Sequence, residues 1–397
     1  MNRLRRGYVE ACGLGTIAEK VLAKQRLDRQ DGLTLCHHPD LLAIGILANQ
    51  VRERLHGDDT YYIINQHINH TNICVAGCKF CAFYRTARQP DAYVLSPQDV
   101  EKRMLEHIDE PIREVHMVGG VNPELPLGYY TDVIRAMKRV RPGVHVKAFT
   151  MVEIAAMAEN FGMGVEEVLL ELKAAGLGSI PGGGAEILTD HAHQVLFKGK
   201  IDHRAWIEIA KTAHRLGLKS NATMMFGHVE TVEDRIDHML LLREAQDETA
   251  GFMAFIPLAF HPENTRLSHL PKPSATEELR QVAVGRLMLD NFPHVKAYWV
   301  MMTPRVAQAA LDFGADDLDG TVVTEEIYHR AGSTSPQMIT RRQMVAMIEE
   351  AGRVPVERDT LYNPISRPAV KAPAAQTGPP PPMPGERTPR SVAEITP

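Results

Sequence analysis

The chain is poor in cysteine and tryptophan, with five of the first and two of the second in 397 residues. Five cysteines, three of them crowded together, do not make a disulfide framework. Free thiols fit a reducing compartment, so a cytoplasmic location is expected. No apolar run approaches the ~18 residues of a membrane-spanning helix, and no signal-peptide apolar segment follows the basic start Met-Asn-Arg-Leu-Arg-Arg. Positive charge is not in excess. Lys and Arg number 44 against 49 Asp and Glu, a formal net charge of −5, which argues against nucleic acid as the main partner. With 44% hydrophobic and 23% charged residues, the composition is that of a globular protein. The length admits ~2–3 domains, or one α/β barrel of ~200–250 residues with additions.

What the chain does have is Cys74, Cys78 and Cys81 in one short loop, spaced Cys-x3-Cys-x2-Cys. Three thiolates can hold three irons of a four-iron cluster. No fourth cysteine stands nearby, so one iron would be open to a ligand that is not protein. Ferredoxin-type carriers use four thiolates, and structural zinc sites fill all four positions. A cluster with an open iron is a site for chemistry. The competing readings are a zinc site completed by His70, or a protein that only carries electrons. Cys12 and Cys36 read as small buried hydrophobes.

The chain divides by composition. Residues 1–58 read as helical, with apolar residues at helical spacing in Ile17–Leu27 and Pro39–Leu55. Residues 59–345 alternate strand-like and helix-like segments. Residues 346–365 are expected to pack on that barrel. Residues 366–397 are rich in Pro, Ala and Thr, include the run Pro379–Pro382, cannot bury a core, and are expected to be disordered or extended.

Eight strands are expected in the middle region: Tyr61–Ile68, Glu114–Val118, Val144–Phe149, Leu177–Ile180, Lys219–Phe226, Gly251–Leu258, Val295–Met301 and Ala315–Leu318. Helical stretches such as Pro97–His107, Tyr129–Val140, Val165–Ala175 and Arg204–Leu216 alternate with them. This pattern predicts a parallel sheet wound into a (β/α)8 TIM-type barrel, closed or open on one side. Polar residues gather at the C-terminal strand ends: Asn69 and His70, Asn122, Thr150, Glu186, His228, His261 and Asp319. Active sites of such barrels sit on that face, and the cysteine loop follows the first strand onto it. Within Val144–Phe149, His145, Lys147 and Phe149 share one side. A buried Lys147 needs a partner, either a ligand carboxylate inside the barrel or a neighbouring Glu or Asp.

The cysteine loop, with Phe80 before its last cysteine, resembles the cluster loop of radical S-adenosylmethionine enzymes. Further stretches are similar to a narrower family, the aminofutalosine synthases of the futalosine route to menaquinone. They are His-Thr-Asn-Ile-Cys (70–74), Gly-Gly-Val-Asn-Pro-Glu-Leu-Pro (119–126), Lys-Ala-Phe-Thr (147–150), Pro-Gly-Gly-Gly-Ala-Glu-Ile (181–187), Asn-Ala-Thr-Met-Met-Phe-Gly-His-Val-Glu-Thr (221–231), Phe-Ile-Pro-Leu-Ala-Phe-His-Pro-Glu-Asn-Thr (255–265) and Asp-Asp-Leu-Asp-Gly-Thr-Val (316–322). The likeness covers roughly residues 5–360. Some of these motifs also occur in the futalosine cyclase and the deazaflavin synthase subunits, which stand as alternatives. Lys-Ala-Phe-Thr and Leu-Ala-Phe-His-Pro-Glu-Asn-Thr favour the synthase.

The resemblance implies a [4Fe-4S] cluster on Cys74, Cys78 and Cys81, S-adenosylmethionine as co-substrate, and a small-molecule substrate. It also implies a low-potential donor of the flavodoxin or ferredoxin type. It implies addition of a 5′-deoxyadenosyl radical to 3-[(1-carboxyvinyl)oxy]benzoate, with 6-amino-6-deoxyfutalosine, bicarbonate and methionine as products. By position, Phe80, Gly119, Gly120, Thr150 and Glu186 would bind the cofactor. Asn221, His228 and His261 would act toward substrate or S-adenosylmethionine, with acid–base work open to a histidine. Lys147, Arg85 and Arg235 are candidates for the substrate carboxylates, and Met224–Met225 reads as core.

Overall fold

The structure is a computed structural model that describes residues 1–197, 199–322 and 324–367. The Pro-rich run Pro379–Pro382 and the tail expected beyond 367 lie outside the described residues.

The strands are β1 (Asp59–Ile63), β2 (Asn65–Ile68), β3 (Glu114–Met117), β4 (His145–Ala148), β5 (Leu177–Ile180), β6 (Lys219–Phe226), β7 (Phe252–Ala259), β8 (His294–Val295), β9 (Asp317–Gly320), β10 (Val354–Arg358) and β11 (Pro364–Ser366). β2 to β8 lie side by side in chain order, every pair parallel. β1 pairs in parallel with β9 and β10, and β11 is antiparallel on β10. Ala297 N donates to Asp317 O at 2.8 Å and Asp316 N to Val295 O at 3.1 Å, which joins β8 to β9. On the other side β1 and β2 are successive halves of one extended stretch. The first half pairs with β9 and the second with β3. Hydrogen bonds therefore run from stave to stave around a parallel (β/α)8 barrel.

Both faces of the strands are covered, as a parallel sheet requires: β7 is apolar throughout, β2, β3, β4 and β9 mix Asn, Gln, Glu, His, Lys or Asp with apolar residues, and in β6 every residue after Lys219 is buried. The helices between them start where the side-chain chemistry says they should. Ser96, Thr150 and Thr231 each accept from the amide three residues on, and Asp99, Glu153 and Asp234 bond back to the cap amide. Each box satisfies two amides that a helix start leaves unpaired. Among the described residues no helix is long and apolar enough to cross a membrane.

Several expectations need correction. Val295–Met301 is a strand only over its first residue, within His294–Val295, and turns into a helix at Trp299–Met302. A wholly buried apolar run has no period to distinguish the two. The 1–58 region holds four helices: Arg3–Ala11, Gly15–Leu22, Arg29–His37 and Leu41–His56. The helix expected over Ile17–Leu27 stops at Leu22, just before Lys24 at φ 58°. Residues 346–365 do more than pack on the barrel, since Val354–Arg358 adds a strand to β1. Pro364–Ser366 is a strand as well, antiparallel on Val354–Arg358.

Candidate active site

A cavity of about 290 Å³ opens at the C-terminal mouth of the barrel, and Cys74, Cys78 and Cys81 line it. Their loop leaves the end of β2 and is pinned along its length. Cys74 N donates to Arg85 O at 3.0 Å, Val75 N to Val121 O at 2.9 Å, and Lys79 N to Leu196 O at 3.1 Å. Arg266 N donates to Lys79 O at 3.0 Å, and the Arg266 guanidinium reaches Gly77 O. Gly77 turns the loop with φ 56°, a conformation glycine adopts without strain.

Burial pushes the Cys78 thiol up to about 12 and raises Cys81 as well. Burial disfavours the thiolate at both sulfurs, and the charge of a bound metal would favour it. Among the described residues, the one trio of His, Cys, Asp or Glu ligand atoms within 4.8 Å of one another is His56, His294 and Asp316. The three cysteine sulfurs do not form such a trio, so not all of them lie within 4.8 Å of one another. Cys12 and Cys36 lie in the N-terminal helical region. Three half-buried thiols lining one cavity, with no fourth cysteine beside them, fit a [4Fe-4S] cluster bearing one open iron.

The adjoining strand ends are tied by one carboxylate. Glu153 Oε1 accepts from Gly119 N at 3.2 Å and lies 3.2 Å from His70 Nε2. Its Oε2 accepts from Thr150 N at 2.8 Å and from Thr150 Oγ1 at 2.9 Å. The ends of β2, β3 and β4 thereby share one buried anchor. On the far wall the Lys200 ammonium bonds Glu186 and sits 4.2 Å above the centre of the Phe197 ring. Phe80 meets Phe197 edge to face at 5.8 Å. Deeper in the barrel lie His67, His116 and Lys147. Lys147 Nζ stands 2.6 Å from Glu114 Oε1, and Lys296 Nζ donates to Asp319 Oδ1 at 2.6 Å.

The sequence pattern of the Radical SAM superfamily matches residues 68–242, and that of the CofH/MqnC C-terminal region matches 249–371. The chain is 46% identical over 350 residues to the aminodeoxyfutalosine synthase of Thermus thermophilus, across 87% of this chain and 94% of that one. It is 40% identical to the aminodeoxyfutalosine synthase of Streptomyces coelicolor, across 87% and 92%. The cyclic dehypoxanthine futalosine synthase of Halalkalibacterium halodurans is 38% identical, across 87% and 93%. The chain is a radical SAM enzyme of the aminodeoxyfutalosine synthase family. Among solved structures, methylornithine synthase superposes with a TM-score of 0.66 at 17% identity, covering 85% of this chain and 96% of that one. The hydrogenase maturase HydG superposes at 0.67 and 16%, covering 89% and 80%. Both share the fold of this family.

As a radical SAM enzyme the chain uses a [4Fe-4S] cluster and S-adenosylmethionine. Of the residues singled out from sequence, the three cysteines, Phe80, Gly119, Thr150, Glu186, Asn221 and Lys147 all line the cavity. Gly120, His228 and His261 do not. Gly120 lies behind the wall, against Ile73 and Cys74. His228 is turned inward, with Nε2 2.9 Å from Met225 O and Nδ1 3.0 Å from Glu230. His261 Nε2 lies 3.1 Å from Met301 O, with its ring edge to face against Tyr328. Arg85 staples the cysteine loop, bonding the carbonyls of Ala82 and Tyr84 at 2.9 Å each and Asp91 at 2.8 Å. Arg235 is taken up by Glu230 and Glu277. Neither arginine is free for a substrate carboxylate. His70 is held by Glu153 and does not line the cavity, so the zinc reading loses its fourth ligand. Glu153, Lys200, Tyr298 and Tyr328 also line the cavity without having been singled out. Glu153 was open to discovery, because Thr150-x-x-Glu153 is a capping-box sequence.

Proposed function

We propose that this enzyme transfers the 5′-deoxyadenosyl group of S-adenosylmethionine to 3-[(1-carboxyvinyl)oxy]benzoate. With one water consumed by the departing carboxyl group, the products are 6-amino-6-deoxyfutalosine, bicarbonate, methionine and a proton, in the futalosine route to menaquinone. The observation that carries the reading is one cavity at the barrel mouth lined both by the three cysteines and, deeper in the barrel, by His67, His116 and Tyr298. The identity of 46% to one named aminodeoxyfutalosine synthase, against 38% to a cyclase, favours the synthase.

When bound, the cluster and S-adenosylmethionine supply a 5′-deoxyadenosyl radical. The chain's own residues bind and orient. Cys74, Cys78 and Cys81 hold the metal; Gly119, Thr150 and Glu186, with Phe80 beside them, shape the S-adenosylmethionine side of the cavity. Glu153 keeps Gly119 N and Thr150 in place through the bonds described above. Asn221, Ile256 and Leu258 close the opposite wall. A radical reacts with what is nearest, so holding the alkene about 3–3.5 Å from the reacting carbon is the main service these walls perform. They also keep water out. A low-potential flavodoxin or ferredoxin in the cytoplasm is the proposed electron source.

The test is an oxygen-free incubation of reduced protein with S-adenosylmethionine and the aryl enol ether. A product with the mass of the adenosine adduct supports the synthase. Release of 5′-deoxyadenosine without adduct, on dehypoxanthine futalosine instead, supports the cyclase.

A further inference from the structure

Three neighbouring strands place one basic side chain each at the same level inside the barrel. His67 of β2 pairs in register with His116 of β3, and His116 with Lys147 of β4. Side chains in register on adjacent strands point to the same side, and all three line the cavity. The two imidazoles stack at 4.6 Å with 24° between their planes, and the Tyr298 ring continues the stack 6.3 Å from His67. His67 Nε2 has no hydrogen-bond partner. Burial holds both imidazoles below their usual basicity, so each keeps one N–H to donate. Of the three carboxylates that act on His67, Glu114 and Asp319 are each paired with a lysine at 2.6 Å, and Glu325 is taken up by the amides of Ile327 and Tyr328 and by His329 Nδ1 at 3.0 Å.

This row stands three residues below Gly119 and Thr150 on β3 and β4, hence about 10 Å beneath the mouth at ~3.3 Å per residue. The reading of the substrate as an aryl enol ether sets the geometry. Its alkene must lie near the thiols at the mouth, so its benzoate end points down the barrel. We infer that the stacked pair His67–His116 is the receptor for the ring carboxylate of the substrate, beside Tyr298, Ile256 and Leu258 of the same cavity, while Lys147 of the row is held by Glu114. The inference rests on the proposed function for the identity of the substrate. The pair itself stands on register and cavity shape.

Two measurements test it on the reconstituted, oxygen-free holoenzyme. The first compares kcat/KM for the substrate with that for its analogue carrying a ring carboxamide. The wild type should favour the carboxylate by about tenfold or more, the scale of a charge-assisted hydrogen bond. In His67→Gln and His116→Gln that preference should shrink to about threefold or less. The S-adenosylmethionine-dependent change in the cluster spectrum should stay as in the wild type, which a folding defect would not allow. An unchanged preference in both variants, or no preference in the wild type, overturns the inference. The second titrates 3-hydroxybenzoate by calorimetry and needs no turnover. Binding weakened about tenfold in the variants supports the pair even if no adduct forms, in which case only the functional reading fails. Equal binding by wild type and variants, with adduct made, removes the pair and leaves the function intact.

Discussion

Gly120 lies against Ile73 so closely that a β-carbon on it would stand 2.2 Å from the Ile73 carbonyl oxygen and 2.9 Å from Cys74 Cβ. The obstacle is backbone, which cannot swing aside as a side chain does. Gly120 earns its place by this approach, since it lets the end of β3 support the cysteine loop from behind. Gly120→Ala should therefore push the loop outward. Iron bound per chain should fall by about half or more, and kcat/KM by about tenfold or more. Gly128→Ala is the control: nothing lies within 4 Å of the added carbon. At the start of a helix it should stabilise by ~0.5–1 kcal/mol. Equal iron content in the two variants would contradict the steric account.

Glu153 offers a second lever on the same region. Removing its carboxylate leaves Gly119 N and His70 Nε2 without the partners they now have at 3.2 Å, in a place water does not reach easily. Glu153→Ala should cost about 3 kcal/mol of unfolding free energy, the scale of losing hydrogen bonds to a buried charge. Glu153→Gln should cost less, because it still accepts through one oxygen. Urea unfolding at constant pH measures both. A loss below ~1 kcal/mol for Glu153→Ala would mean that water takes over these bonds.

The sequence pattern was legible where side chains act locally. Six of the eight expected strands lie close to observed ones, Ala315–Leu318 overlaps the strand Asp317–Gly320 by two residues, and the three cysteines followed from their spacing. Val295–Met301 misled because a run buried on all sides carries no period, so its turn into helix at Trp299 left no trace. The helix Met151–Phe161 was announced by Thr150 and Glu153 but hidden behind an apolar stretch. Partnerships across the barrel were not legible. Lys147 has Glu114 from the adjacent strand, 33 positions earlier. Arg235 has Glu230 nearby but also Glu277 from a later helix. Arg85 and His228 had the right chemistry at the right strand ends. Local bonds, to Asp91 and to Glu230, turn them away from the cavity. Residue type and approximate place can be read along the chain, whereas orientation is decided by competition among partners brought together by folding.

The thiols separate cluster loss from fold loss. Cys78→Ala should abolish turnover and the visible absorption of the cluster while keeping the far-ultraviolet spectrum, because the loop keeps its backbone bonds to Arg85, Val121 and Leu196. Cys36 is the contrast. It is buried in the helix Arg29–His37, and its thiol is pushed up to about 12 by burial. Cys36→Ala should retain full iron and turnover and lose ~1 kcal/mol of stability through lost packing. Turnover by Cys78→Ala would remove the cluster assignment.

Glu278 gives the pH dependence of stability a definite sign. It is 4% exposed, and its Oε2 has no hydrogen-bond partner. Burial raises its carboxyl from 4.5 to about 7, with Lys272 opposing weakly. Below pH ~4.5 both folded and unfolded chains hold this proton, and the group is neutral to stability. Between 4.5 and 7 the unfolded chain releases the proton while the folded one keeps it, so rising pH favours unfolding. The whole loss approaches ~3 kcal/mol by pH 8. Glu278→Gln carries no proton to release and should abolish that slope. The variant should match the wild type near pH 4.5 and exceed it by up to ~3 kcal/mol at pH 8, as read from urea unfolding at the two values. A variant that gains nothing on going from acid to alkali would show that Glu278 ionises in the folded chain with a partner or a water to receive it.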